Sequence, residues 1–365
     1  MKISVFGTRG FPFIQGGVES HCEHLYQRLA RNHTITVYRR KPYVCSDKPY
    51  ENIRFIDLPS TKIKGFETFL YSLLAVLSIL FHQTDIVHIH NIGPAFFTPL
   101  LRLAGKRVVM TYHSANYDHQ KWNAFFRFIL KRSESLALRY AHAVIFVNKF
   151  QMDKFKRRAY AGKFYYISNG IEQPISSSDN NLLKQWELTK SNYIIAVGRI
   201  TPEKGFDTLI NAFLKNDTAY KLVIAGSVES ETGYHKKLIN SADSERVIFT
   251  GFVCGEPLQQ LYRCAGLFVL PSISEGFPIA LLEAMSYHLP VIVSDLPATR
   301  LIDLPEDCYF PPGDEIALTG LLEEKLKNKP SAVVYDLTKY NWETIADETA
   351  RIYDKLMNKS DSCKK

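Results

Sequence analysis

Residues 193–206 read YIIAVGRITPEKGF. The apolar run Tyr193–Val197 passes into a glycine, a charged loop and then Phe206, which opens another apolar stretch. A short apolar run without polar alternation is how a strand buried on both faces reads. The same unit recurs in both directions. Before it, strands are expected at Lys2–Phe6, Thr34–Tyr38, Ile53–Asp57, Asp85–His90, Arg107–Tyr112, Ala143–Val147 and Phe164–Ile167. After it, they are expected at Lys221–Ala225, Val247–Thr250, Leu267–Leu270 and Val291–Ser294. Strands alternating with helical stretches imply α/β layers built on parallel sheets. A chain of 365 residues is long for one core and suits two domains. The polar cluster Ser176–Asn181, SSSDNN, reads as a loop near their boundary. The expected division is 1–173 and 174–342, followed by a helix over about 343–360. That helix carries Ile345, Thr349, Ile352 and Leu356 on one face.

Charge is divided unequally. Residues 1–170 hold 25 Lys and Arg against 10 Asp and Glu; the remainder holds 20 against 27. A basic half points to an anionic partner, either nucleic acid or an anionic membrane surface, unless the lysines are simply scattered over a soluble domain. No motif that reads bases is present, so nucleic acid is not expected. The N-terminus enters a strand at Ile3 without the flanks of a signal peptide. Six cysteines contain no Cys-x-x-Cys pair, so neither a disulfide framework nor a zinc site is expected. The simplest compartment is the reducing cytoplasm.

Two segments could meet a membrane. Phe69–Phe81, FLYSLLAVLSILF, is too short to span a bilayer and reads first as a buried helix. Its other reading is a helix lying in the interface beside Lys62 and Lys64. Trp122–Arg139 interleaves Trp122, Phe125, Phe126 and Phe128 with Arg127, Lys131 and Arg132.

Three loops can carry chemistry. The first strand runs into FGTRGFPFIQGGVES, where Gly7, Gly10, Gly16 and Gly17 precede a helix starting near Gly17. Glycines admit close phosphate approach, and a helix N-terminus offers free N–H groups. The alternative is only a tight turn. The spacing fails the dinucleotide fingerprint, yet Arg39-Arg40 at the end of the second strand leaves an NADP enzyme open. The loop after Val197 places Arg199 and Lys204 at the carboxyl edge of a strand, where open α/β sheets bind ligands and where two cations neutralise a diphosphate. Alone, such residues are usually just solvated. Farther on, SEGFPIALLEAM puts Glu275 before a helix and Glu283 within it, with Pro278 in the first turn and Phe277–Ile279 at the N-terminus. Carboxylates accept paired hydroxyl bonds from sugar and ribose diols; a capping acid and a surface acid are the plain alternatives.

GRITPEKGF followed by the E-x7-E segment resembles the family 4 glycosyltransferases, the retaining type with the GT-B fold. GTRGFP…QGGVE is similar to the N-terminal domain of bacterial capsule and O-antigen polysaccharide transferases, including rhamnosyltransferases. The resemblance implies two Rossmann-like domains whose sheets face each other across a cleft. It implies donor-diphosphate binding by Arg199 and Lys204, sugar binding by Glu275 and ribose binding by Glu283. His113 would lie near the reacting sugar, Gly16 and Gly17 near the phosphate or sugar, and Phe252 and Val253 beside the base. The last helix, near Trp342, would cross back onto the first domain. The implied partners are a nucleotide-sugar donor, a polyprenyl-diphosphate-linked or saccharide acceptor, and the inner face of a membrane. No cofactor and no metal are expected. The chain contains no Asp-x-Asp, the usual diphosphate–metal clamp. His88 and His90 share a strand face without a third ligand at a telling spacing, and read as packing. His21, Cys22 and His24 read as incidental. An NDP-sugar epimerase is the nearest alternative, since it needs the same donor and no acceptor.

Overall fold

The computed structural model describes residues 1–46, 48–61, 66–115, 117, 124–174, 181–228, 233–242, 245–327 and 330–361. Lys62, Lys64, Trp122 and most of the Ser176–Asn181 cluster lie outside the described residues. The chain divides into two compact units, Met1–Gly170 with Tyr340–Lys365, and Ile171–Lys339.

The first unit contains β1 (Lys2–Phe6), α1 (Gly17–Leu29), β2 (Thr34–Arg40), β3 (Ile53–Leu58), α2 (Phe66–Phe81), β4 (Ile86–His90), α3 (Thr98–Leu103), β5 (Arg107–Tyr112), α4 (Ala124–Tyr140), β6 (Ala143–Phe146), α5 (Lys149–Asp153) and β7 (Phe164–Tyr166). Its sheet runs β3-β2-β1-β4-β5-β6-β7, parallel throughout. The order reverses direction between β1 and β4. β4 is buried along its whole length because helices cover both faces, which is why it reads as a continuous apolar run broken only by histidines.

The second unit contains β8 (Tyr193–Val197), α6 (Phe206–Leu214), β9 (Lys221–Ala225), α7 (Gly233–Ser241), β10 (Val247–Gly251), α8 (Glu256–Cys264), β11 (Leu267–Leu270), α9 (Ile279–Ser286), β12 (Val291–Ser294), β13 (Tyr309–Phe310) and α10 (Glu315–Lys327). Its sheet runs β10-β9-β8-β11-β12-β13, again all parallel, and reverses between β8 and β11. Both sheets are Rossmann-like, as the alternation of elements predicts. β13 went unread because two residues give no apolar run.

The last helix, α11 (Trp342–Asp361), belongs to the first unit. Trp342, Ile345, Ala346, Ile352 and Tyr353 join the core of α1 and β1 residues, including Ile3, Val5, Leu25 and Leu29. Glu343 accepts from Arg28 Nε at 2.9 Å and from Arg31 at 2.7 Å.

Two sequence readings are corrected here. Arg39 and Arg40 do not present charge to a ligand. Arg39 is 3% exposed, bonds both oxygens of Asp57 at 2.7 and 2.9 Å, and lies over the Phe55 ring. Arg40, also buried, pairs with Glu67 at 3.0 Å and lies over Tyr71. A 2′-phosphate would have to displace these carboxylates, so the NADP reading loses its anion site. Nor is α2 a wholly buried helix. Tyr71, Ala75, Val76 and Ile79 face the core, while Phe66, Phe69, Leu77 and Phe81 on the opposite face are exposed.

One half-buried imidazole gives this unit a pH signature. His142 Nδ1 accepts the Val108 N–H at 2.9 Å. Burial, and then the charges of Arg102, Lys163 and Arg107, bring its pKa down to about 4. The folded value lies below the unfolded one, so the stabilisation is complete above about pH 6.5 and is lost as pH falls toward 4. Allowing for its partial exposure, wild type should lose about 1–2 kcal/mol more than His142→Asn between about pH 6.5 and 4.5. Denaturant unfolding of both proteins across that range measures it; parallel curves would remove the assignment.

Candidate active site

The second unit gathers its candidate residues at the reversal between β8 and β11, where open parallel sheets bind ligands beyond the strand carboxyl ends. After Val197 the chain passes Gly198 and Arg199, makes a tight turn over Pro202–Lys204, and enters α6 through Gly205. Gly205 has φ +63°, and a Cβ there would lie 2.1 Å from the Pro271 carbonyl oxygen. Only glycine allows that approach. The Ile273 N–H donates to the Glu203 carbonyl at 2.9 Å, so the loops following β8 and β11 are tied by backbone.

That tie brings two of the expected residues together. Lys204 Nζ donates to Glu275 Oε1 at 2.6 Å, and Ser272 Oγ donates to the same oxygen at 2.6 Å. The Glu275 side chain is 9% exposed and that of Lys204 is 19%. An ammonium has three N–H groups, so one bond to Glu275 leaves donors for an oxyanion. Arg199 sits half-buried in the same loop. Ser272 was missed by sequence reasoning, since a lone serine after a strand carries no signal.

Glu283 is not a surface residue. It is half-buried on α9, and its Oε2 accepts the Tyr262 hydroxyl at 2.8 Å. Burial and then the Glu283 carboxylate raise the Tyr262 pKa well above its usual value. The Tyr262 ring stacks on Tyr287 at 5.7 Å. Phe277 and Ile279 are buried, and Pro278 stands at the N-cap of α9 rather than inside its first turn. Phe252 follows β10 and is exposed; Val253 beside it is half-buried.

The first unit places its expected residues at the carboxyl edge of its own sheet. Gly16 caps α1 with φ +151°, and a Cβ there would lie 2.1 Å from Glu19 Oε2. Glu19 lies in the first turn and accepts the Arg9 N–H at 3.1 Å, which holds the glycine loop against the helix. Gly17 is the first residue of α1. His113 follows β5 and is buried. Its Nε2 hydrogen-bonds His90 Nδ1 at 2.9 Å, and His90 Nε2 bonds the Tyr26 hydroxyl at 2.6 Å.

Here the reading of the other histidines is partly corrected. His88 is packing, as expected. It is fully buried, and its two nitrogens bond the Tyr353 hydroxyl at 2.5 Å and Thr111 Oγ1 at 2.7 Å. His21 is not incidental, and His90 does have further histidines beside it. One nitrogen from each of His21, His90 and His113 lies within 4.8 Å of the others. His21 Nδ1 bonds Asn169 Oδ1 at 2.7 Å. Burial lowers the His21 pKa to about 4 and the His88 pKa to about 3, and it pushes His90 and His113 well below the usual imidazole value. The signal was present in part. β4 and β5 are neighbours with His90 opposite Thr111, so His113, two residues on, falls on the same face.

Comparison with known proteins agrees with this architecture. Residues 15–173 match the Glycosyltransferase Family 4 model, and residues 178–341 match the Glycosyl transferases group 1 model. An uncharacterized glycosyltransferase of Methanocaldococcus jannaschii, MJ1607, is 28% identical, covering 97% of this chain and 98% of that one. The alpha-monoglucosyldiacylglycerol synthase of Acholeplasma laidlawii is 27% identical over 80% of each chain. The sucrose-phosphate synthase structure from Thermosynechococcus elongatus superposes with a TM-score of 0.82 at 22% identity, covering 98% of this chain and 99% of that one, which shows a common fold. Between them the two family models account for all but residues 1–14, 174–177 and 342–365, and the chain belongs to these GT-B glycosyltransferases.

Proposed function

We propose that this glycosyltransferase moves a sugar from a nucleotide-diphosphate donor to a lipid-linked acceptor at an anionic membrane surface, with retention of anomeric configuration, in cell-surface polysaccharide synthesis. The observation that carries the donor half is the Lys204–Glu275–Ser272 cluster with Arg199 at the reversal of the second sheet. Negative charge grows on the β-phosphate as the glycosidic bond breaks. Fixed cations stabilise that charge without reorganising at the moment of reaction. With no Asp-x-Asp in the chain, Arg199 and Lys204 supply the counter-charge, and the transfer is metal-independent at the diphosphate. Glu275 faces the sugar hydroxyls and Glu283 the ribose. Phe252, Val253, Phe277, Pro278 and Ile279 shape the nucleotide pocket. Gly16, Gly17 and His113 bear on the transferred sugar. A donor panel of UDP-, GDP- and dTDP-sugars, run with and without acceptor and read by product mass, tests the reaction. One donor consumed to a glycosylated acceptor supports it. Conversion of the donor sugar without acceptor would favour an epimerase instead.

The acceptor half rests on the surface of the first unit. The segment Pro94–Phe97 sits between α2 and α4: Phe69 packs on Phe97 at 5.5 Å, and a Cβ on Gly93 would lie 3.5 Å from Leu130. Together with α3, which packs on α4 and on this segment, these elements expose Phe66, Phe69, Phe81, Leu103, Phe125 and Phe128, along with the basic Arg102, Arg127, Lys131 and Arg132. Apolar rings among basic side chains suit an anionic lipid interface. No helix among the described residues is long and apolar enough to cross a membrane. The Acholeplasma relative is named for the synthesis of a glucosylated diacylglycerol, a lipid product. Phe81 and Leu103 are each 87% exposed, so replacing both by Asp should leave the fold intact. Binding to phosphatidylglycerol vesicles at low salt should then fall about tenfold or more. Sedimentation measures it; unchanged binding would place the contact elsewhere.

A further inference from the structure

We propose that His21, His90 and His113 form a binding site for one divalent transition metal of zinc type, held entirely within the first unit. The three side chains come from α1, β4 and the turn after β5, and one ring nitrogen of each already lies within 4.8 Å of the others. All three are buried. Imidazole is a ligand suited to Zn²⁺, Cu²⁺, Ni²⁺ and Co²⁺. A site with three protein ligands keeps a fourth position for water or another oxygen ligand.

Two further observations separate this cluster from ordinary packing. First, His21 Nε2 is buried and takes no hydrogen bond. Its Nδ1 is committed to Asn169, which leaves Nε2 as the coordinating atom. An unpaired buried nitrogen is costly, and a metal ion would use its lone pair. Secondly, the outer partners of a metal site are in place. Asn169 orients His21, and the Tyr26 hydroxyl orients His90 through Nε2. Metal-binding histidines ordinarily have their second nitrogen fixed in this way. His88 stacks on His90 at 4.5 Å but has both nitrogens occupied, so it supports the site without joining it.

The three nitrogens, now within 4.8 Å of one another, must close to metal-bonding range. Zn–N bonds of about 2.0–2.1 Å put tetrahedral ligand atoms about 3.3 Å apart. The His90–His113 pair stands at 2.9 Å, within rotation of two side chains from that value. The one proton shared by this pair moves to the other nitrogen of the ring that carries it. If that ring is His90, Nε2–H then donates to the Tyr26 oxygen. The three ligands therefore bind as neutral imidazoles, and no proton need leave them.

The test uses the untagged full chain, stripped with chelator and titrated with Co²⁺ in the absence of any sugar nucleotide. The expected result is an intense visible absorption of four-coordinate Co²⁺ that saturates at one ion per chain and is displaced by Zn²⁺. Zn²⁺ should also raise the unfolding midpoint. His21→Ala should abolish the band. Should that variant fold poorly, Asn169→Ala, which leaves all three ligands, should weaken Co²⁺ binding about 10- to 100-fold. No band in wild type at millimolar Co²⁺, an equal band in folded His21→Ala, or unchanged affinity in Asn169→Ala would each overturn the proposal. Because no donor is present, this outcome is independent of whether the transfer reaction stands.

Discussion

Lys204→Ala should lower turnover about 10²–10³-fold, and Arg199→Ala by a similar factor, while the second unit stays folded. The reason is positional. Lys204 is held by Glu275 Oε1 at 2.6 Å, in a loop locked to the end of β11 by Gly205 and the Glu203 carbonyl. A cation fixed in that way costs little to align when charge develops on the leaving phosphate. Lys204→Arg should not rescue fully, because a planar guanidinium cannot occupy an ammonium's place against Glu275. Removing the ammonium also leaves a carboxylate that is 9% exposed with Ser272 as its remaining partner, so some loss of stability accompanies the loss of rate. Single-turnover kinetics at saturating donor separate the two effects. Near-normal turnover in both alanine variants would sink the assignment of this cluster.

The second large effect is structural. Trp342→Ala should destabilise the first unit by about 3–5 kcal/mol. Trp342 is among the largest fully buried side chains; it stacks on His24 at 5.5 Å and meets His21 edge-on at 5.5 Å. The neighbouring Glu343 bridges to Arg28 and Arg31 are half exposed, and Glu343→Ala should cost under about 1 kcal/mol. Denaturant unfolding with separate probes in each unit measures both. The expected pattern is an earlier transition for the first unit and an unmoved one for the second. Equal shifts in both would show that Trp342 supports more than the first unit.

Much of the fold was legible because parallel strands covered on both faces must be apolar along their whole length. Lys2–Phe6, Arg107–Tyr112, Tyr193–Val197 and Lys221–Ala225 carry that signal without ambiguity. β13 does not, since its two residues are recruited by β12 rather than by their own pattern. In the site, Lys204 and Glu275 could each be found by loop position, but their contact follows from β8 lying next to β11, which is a matter of strand order. Arg39 and Arg40 misled for a related reason. Their partners Asp57 and Glu67 come from later elements, and nothing local announces that a paired guanidinium is buried. His21 was passed over because helix periodicity shows which residues share a face, not what the face meets.

The return of α11 to the first unit also has a consequence for synthesis. A ribosome releases β1–β7 well before it decodes Trp342–Asp361, and the whole of 171–339 emerges in between. During that interval Ile3, Val5, Leu25 and Leu29 lack the helix that completes their core. The second unit, contiguous in sequence, can finish folding first, so the nascent chain reverses the usual order in which the N-terminal domain matures ahead of its successor.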